Sequence, residues 1–140
     1  MKIKVKRLNK KARLPTYATA GDAGMDLYTV DEVTVKRGER KQIPTGLAFE
    51  IPDGYVGLVW DKSGLAVKNG LTTLAGVVDS GYRGGIILCV FNSSAEDYTF
   101  KAGDKVAQML IQPVVQAKLE EVAELAGSER GDGRFGSTGQ

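Results

Sequence analysis

The chain is cut into short pieces. Gly, Pro, Asn and Asp recur roughly every 8–12 residues, and the apolar runs between them are brief. Leu47, Phe49 and Ile51 alternate with other residues before the turn Pro52-Asp53-Gly54. Residues 55–60 resume as a strand, residues 86–91 read as another, and residues 106–111 as a further one, with a polar loop at 92–97. Such punctuation predicts an all-β sandwich or barrel. The helical candidate is a turn or two after Ser63, through Gly64, Leu65 and Ala66. Residues 114–125 are ambiguous. Their Val, Lys and Glu mix suits a helix, yet Val114 and Val115 follow Pro113 in an extended context. A weak repeat, Thr34-Val-Lys-Arg-Gly-Glu-Arg40 and Thr99-Phe-Lys-Ala-Gly-Asp-Lys105, suggests a doubled β architecture, with coincidence as the alternative over so few residues.

A length of 140 residues suits one domain with a modest core, which oligomerisation would help. The net charge is +2, too small to imply a nucleic-acid partner. Basic residues crowd the start of the chain (Lys2, Lys4, Lys6, Arg7, Lys10, Lys11, Arg13). Ile3 and Val5 alternate with lysines there, which predicts a strand with one solvated basic face rather than a patch that attracts anions. The same alternation leaves no signal-peptide core. No apolar run approaches the ~18 residues of a membrane span. The single cysteine, Cys89, sits in an apolar run and reads as a buried, inert thiol. It fits a reducing compartment such as the cytoplasm.

Histidine is absent. That removes His-containing triads and imidazole bases, and one Cys cannot make a zinc site. Acid–base chemistry must come from carboxylates, Lys or Tyr, and any metal would sit among oxygen ligands, as Mg²⁺ does.

Four segments before the tail could carry chemistry. Gly76-Val-Val-Asp79-Ser-Gly-Tyr82-Arg-Gly-Gly85 is a turn between apolar strands. Its backbone could grip a flat base, Asp79 could orient water, and Tyr82 could lie against a sugar. An ordinary Asx turn explains Asp79 equally well. Asp61-Lys62-Ser63-Gly64-Leu65-Ala66 could offer a cation, a hydroxyl and N–H groups to phosphate, or Ser63 could simply cap a helix. Gly21-Asp22-Ala23-Gly24-Met25-Asp26-Leu27 carries two carboxylates suited to a hydrated cation, or is a loop before a strand. In Gly103-Asp104-Lys105-Val106-Ala107-Gln108, Gln108 could reach phosphate or merely decorate a strand. The tail, residues 126–140, has five glycines together with Arg130, Arg134 and Phe135. It reads as a frayed terminus or as an arm closing over an anion.

Taken in order, these four segments and Arg130-Gly-Asp-Gly-Arg-Phe-Gly-Ser-Thr-Gly139 resemble the five motifs of the trimeric deoxyuridine triphosphatases (dUTPases), over essentially the whole chain. The resemblance implies a jelly-roll-like β fold in residues 1–125, with a short helix, and a flexible arm in residues 126–140. It implies a homotrimer whose active sites are shared between subunits, with no membrane or nucleic acid required. The implied substrate is dUTP, split to dUMP and pyrophosphate. Asp79 matches the water-activating aspartate and Tyr82 the residue packed on deoxyribose. Thr73, Ala75, Gly76 and Val77 match the uracil-reading hairpin. Lys62, Ser63, Gly64 and Gln108 match the phosphate-binding segments. Asp26 matches a residue that holds Mg²⁺ through water. Arg130, Phe135, Gly136 and Ser137 match the closing arm.

Some positions depart from the family pattern. Lys62 stands where the family usually has Arg, which keeps the charge but loses the bidentate fork. Arg134 replaces a common Gly, and Gly81 a frequent acidic residue. The sister dCTP deaminases share the fold and a similar hairpin, but carry a glutamate at the position that Cys89 matches, which disfavours a deaminase or bifunctional enzyme. A trimeric nucleotide-binding module without catalysis is a third reading, opposed by the retention of Asp79, Tyr82, Gln108 and Arg130.

Overall fold

In the computed structural model, which describes residues 1–132, the punctuated runs become strands around one short helix. In chain order these are β1 (Lys4–Arg7), β2 (Met25–Tyr28), β3 (Val33–Val35), β4 (Arg40–Pro44), β5 (Leu47–Glu50), β6 (Tyr55–Asp61), α1 (Ser63–Asn69), β7 (Leu71–Leu74), β8 (Val77–Val78), β9 (Ile87–Asn92), β10 (Tyr98–Phe100) and β11 (Lys105–Pro113). Every pairing between them is antiparallel. One sheet runs β2-β11-β6-β8 and another β4-β9-β7, with the ribbons β1-β5 and β3-β10 beside them. This is the expected all-β, jelly-roll-like arrangement.

Alternation within the strands decides which side chains enter the core. Leu88 and Val90 of β9 are buried while Ile87 is exposed. Leu27, Val35, Ile43, Leu47, Phe100 and Met109 complete a single apolar cluster. In β5 the alternating Leu47 and Phe49, with Ile51 beyond, are buried and Glu50 is exposed, while Ala48 on the opposite face is buried as well. A strand covered on both faces reads as a continuous apolar run. At the N-terminus the basic strand has its expected solvated face, with Ile3 and Val5 packed against the core and Lys4 paired to Glu50 at 2.8 Å.

The repeat has a structural counterpart. Its copies contribute β3 and β10, which pair with each other so that Thr34 faces Thr99, hydroxyl to hydroxyl at 2.8 Å. Each copy then turns on a left-handed glycine, Gly38 or Gly103, with an acidic side chain (Glu39, Asp104) accepting from the N–H three residues back.

α1 forms where expected. Lys62 is its N-cap residue and makes no side-chain capping bond, so Ser63 starts the helix rather than capping it. Gly70 ends it in the left-handed conformation, returning its N–H to Ala66. Residues 114–125 form neither helix nor strand, and Val115, Leu119 and Leu125 are almost fully exposed. Among the described residues no helix is long and apolar enough to cross a membrane.

Candidate active site

The hairpin side of the site is built on strained backbone. Between β7 and β8 the chain reverses through Ala75 (φ 65°) and Gly76 (φ 112°). Gly76 accepts the Val59 N–H at 2.8 Å, which pins the turn against β6. A Cβ at Gly76 would sit 2.7 Å from the Val59 carbonyl oxygen. We therefore expect Gly76→Ala to cost about 2 kcal/mol or more, read as a lower Tm. An unchanged Tm would show that the turn can shift without loss.

Ala75, Gly76, Val77, Asp79, Tyr82 and Cys89 line one cavity of about 250 Å³. Asp79 is exposed, and its carboxylate has no hydrogen bond or ion pair among the described residues. The Asx turn that could have occupied it is not formed. Tyr82 is half exposed, and its hydroxyl donates to the Gly85 carbonyl at 3.2 Å. Gly84 lets the ring lie close, since a Cβ there would be 2.3 Å from the Tyr82 hydroxyl. Cys89 is not a buried core thiol. It occupies the face of β9 turned away from Leu88 and Val90, so its side chain meets this cavity.

The second cavity, about 550 Å³, lies against β2, β6 and β11 and is lined by Asp22, Gly24, Asp26, Trp60, Lys62, Ser63 and Gln108, among others. Sheet register explains the grouping. Gln108 on β11 lies opposite Asp26 on one side and Trp60 on the other. Gln108 donates to the Asp61 carbonyl at 2.9 Å. Asp26 is 1% exposed and meets two ammonium groups, Lys62 at Oδ1 and Lys105 at Oδ2, the latter at 2.6 Å. Burial alone would raise its pKa, but the two lysines outweigh that and hold it below the ordinary carboxylate range. Lys105 is raised in turn by its bond to Asp26.

Asp61 joins the two sides. Its Oδ1 accepts from the Thr73 N–H (2.5 Å) and hydroxyl (2.7 Å), and its Oδ2 from the Thr72 hydroxyl (2.8 Å). Burial opposes its ionisation, yet these donors keep its pKa below the usual range. Both donors of Thr73 are thus committed within the chain. Thr73 lines a neighbouring cavity of about 310 Å³ with Ala75, Gly76 and Val77.

The anticipated residues therefore separate into two sets, Asp79 and Tyr82 with the hairpin, and Asp26, Lys62, Ser63 and Gln108. Each set lines its own cavity. Gly64 is exposed beside Ser63 on the helix. Arg130 lies in the exposed segment beyond β11 and lines neither cavity. Phe135, Gly136 and Ser137 lie outside the described residues. Sequence reasoning had given no role to Trp60, Asp61 or Lys105. Asp61 opens one of the candidate segments and Trp60 precedes it, which is a usable clue. Nothing in the spacing pairs Lys105 with Asp26.

Comparison with known proteins points one way. The family model for dUTPase matches residues 10–139. The deoxyuridine 5'-triphosphate nucleotidohydrolase of Nautilia profundicola is 49% identical, covering 100% of both chains. That of Clostridium kluyveri is 48% identical over 99% of each. Among solved structures, the dUTPase of Staphylococcus bacteriophage 80alpha with dUpNHpp superimposes with a TM-score of 0.93 at 30% identity, covering 99% of both chains. A mutant dUTPase of phage phi11, described for its coordination of a structural Mg(II) ion, gives 0.85 at 27% identity, over 91% of this chain and 100% of that one.

Proposed function

The chain belongs to the dUTPase family, and from that premise we infer that it hydrolyses dUTP to dUMP and pyrophosphate, with Asp79 as the base that activates water. The observation that carries the assignment of Asp79 is its exposed, unengaged carboxylate in the hairpin cavity. A carboxylate tied into an Asx turn could not take a proton so readily. Here Asp79 takes a proton from water as the oxygen attacks the α-phosphorus.

The hairpin cavity receives the nucleoside. Backbone groups of Ala75, Gly76 and Val77 read the uracil, Thr73 anchors that hairpin through its two bonds to Asp61, and the Tyr82 ring packs on deoxyribose and leaves no room for a 2′-hydroxyl. Lys62, Ser63, Gly64 and Gln108 hold the phosphates. Arg130 adds charge as the arm carrying Phe135, Gly136 and Ser137 closes and excludes water.

Mg²⁺ fits this chain as a partner of the phosphates rather than as a resident of a protein cage. Among the described residues no three His, Cys, Asp or Glu side chains gather at one point. Mg²⁺ keeps several waters and is usually held by one or two carboxylates plus substrate phosphates. Asp26, in the phosphate-side cavity, would hold it through water, and Asp22 lines the same space. When bound, the ion supplies positive charge against the leaving pyrophosphate.

The resemblance to the trimeric dUTPases supports a homotrimer whose sites draw the nucleoside side from one subunit and the phosphate side from another; within one copy, a third cavity lined by Trp60, Asp61, Thr73 and Gly76 adjoins both sets of residues. The deaminase reading is disfavoured on the same geometry: Asp79 is the one carboxylate among the described residues of the hairpin cavity, and Cys89 stands where a second would be needed. Product analysis tests the assignment. With Mg²⁺, dUTP should yield dUMP and pyrophosphate, and dCTP should release no ammonia. Ammonia from dCTP would establish the deaminase, and no product from either the binding module.

A further inference from the structure

A buried carboxylate that is paired with two lysines, one of them lining the cavity assigned to phosphate, is an odd arrangement for an anion site. Asp26 has a side chain only 2% exposed, whereas those of Lys62 and Lys105 are 27% and 47% exposed. The lysines differ in what they face. Lys62 lines the phosphate-side cavity together with Ser63 and Gln108, and Lys105 does not. They also differ in the atom they meet, Lys62 donating a hydrogen bond to Oδ1 and Lys105 making an ion pair with Oδ2. An ammonium neutralised by a carboxylate has little attraction left for an incoming phosphate.

We propose that Asp26 is a latch on Lys62. In the ligand-free protein its Oδ1 holds the Lys62 ammonium away from the phosphates, and Lys62 is released to them only when a hydrated divalent cation arriving with the nucleotide takes over Oδ1. Lys105 stays on Oδ2 throughout, so that Asp26 is never left buried without a counter-charge. Asp26 is then a positioning residue acting through Lys62, in addition to any contact with metal-bound water. A lysine suits this exchange, being a compact charge on a flexible stem that can turn from one oxygen to another. The proposal rests on the reading of this cavity as the triphosphate site.

The test is binding of dUpNHpp by calorimetry, in EDTA and in Mg²⁺. For Asp26→Asn the latch predicts tighter binding in EDTA, by about tenfold, and loss of the further gain from Mg²⁺. Asp22→Asn is the control. It removes the same charge from the same cavity but frees no lysine, because its carboxylate accepts from the Thr19 N–H, so its gain in EDTA should be smaller than that of Asp26→Asn by about fivefold or more. The gain should vanish when Asp26→Asn is made in a Lys62→Gln background. Equal gains in both Asn variants, a gain that survives Lys62→Gln, or no gain at all would overturn the latch. Should Asp26→Asn fail to fold, the wild-type protein decides by NMR. The Lys62 ammonium resonance should move on adding Mg²⁺ and dUpNHpp while that of Lys105 stays, and a stationary Lys62 overturns the proposal. Wild-type protein that binds no dUpNHpp even in Mg²⁺ would remove the site reading itself, whereas normal binding in Mg²⁺ with no gain for Asp26→Asn in EDTA removes the latch alone.

Discussion

Asp79→Asn is expected to lower kcat by about 10³-fold while leaving dUpNHpp affinity within about threefold of wild type. The amide has nearly the same shape but cannot accept a proton from water. Little else should change, because Asp79 is exposed and no residue among those described depends on its carboxylate for a hydrogen bond or ion pair. Stability should accordingly stay within about 0.5 kcal/mol, as for other surface substitutions. Single-turnover kinetics with dUTP separates the chemical step from binding. A kcat within tenfold of wild type would end the case for Asp79 as the base. Equal losses in kcat and affinity would instead make it a binding residue.

Mixing two inactive variants should restore activity. One partner is Asp79→Asn, which keeps the phosphate side. The other is Lys62→Ala combined with Gln108→Ala, which keeps the hairpin side. Alone, each should be nearly inert. If a site takes its two halves from different subunits of a trimer, random mixing leaves about a quarter of the sites with both halves intact. Co-expressed chains should then show about a quarter of wild-type activity. If each site lies within one chain, the mixture should be no more active than the two variants measured separately. The resemblance to the trimeric dUTPases makes the shared site the expected outcome.

How far the site was legible from the chain alone depended on the kind of residue. Asp79, Tyr82, Ser63 and Gln108 sit in motifs whose order and spacing carry a family resemblance. Cys89 departs from the burial its apolar run predicts. An apolar run suggests burial on both faces, but β9 has only one face in the core, so the thiol meets the same cavity as Asp79. Ser63 was open to reading as a helix cap, and the helix instead begins at Ser63 with Lys62 as its N-cap residue. The stretch 114–125 was ambiguous because its composition suits a helix, but no apolar surface in the same copy covers it.

Local chemistry determined the strands, the turns and the short helix. Gly and Pro restrict or free the backbone at fixed positions, and alternation marks which face a strand buries. The absence of histidine by itself places any acid–base work on carboxylates, Lys or Tyr. What only the tertiary structure decided was pairing across the chain. Register on β11 puts Asp26, Gln108 and Trp60 in one row, and burial forces Asp26 to find counter-charges at Lys62 and Lys105. Sequence separation carries no information about such contacts, because sheet register, rather than proximity along the chain, decides which charges meet.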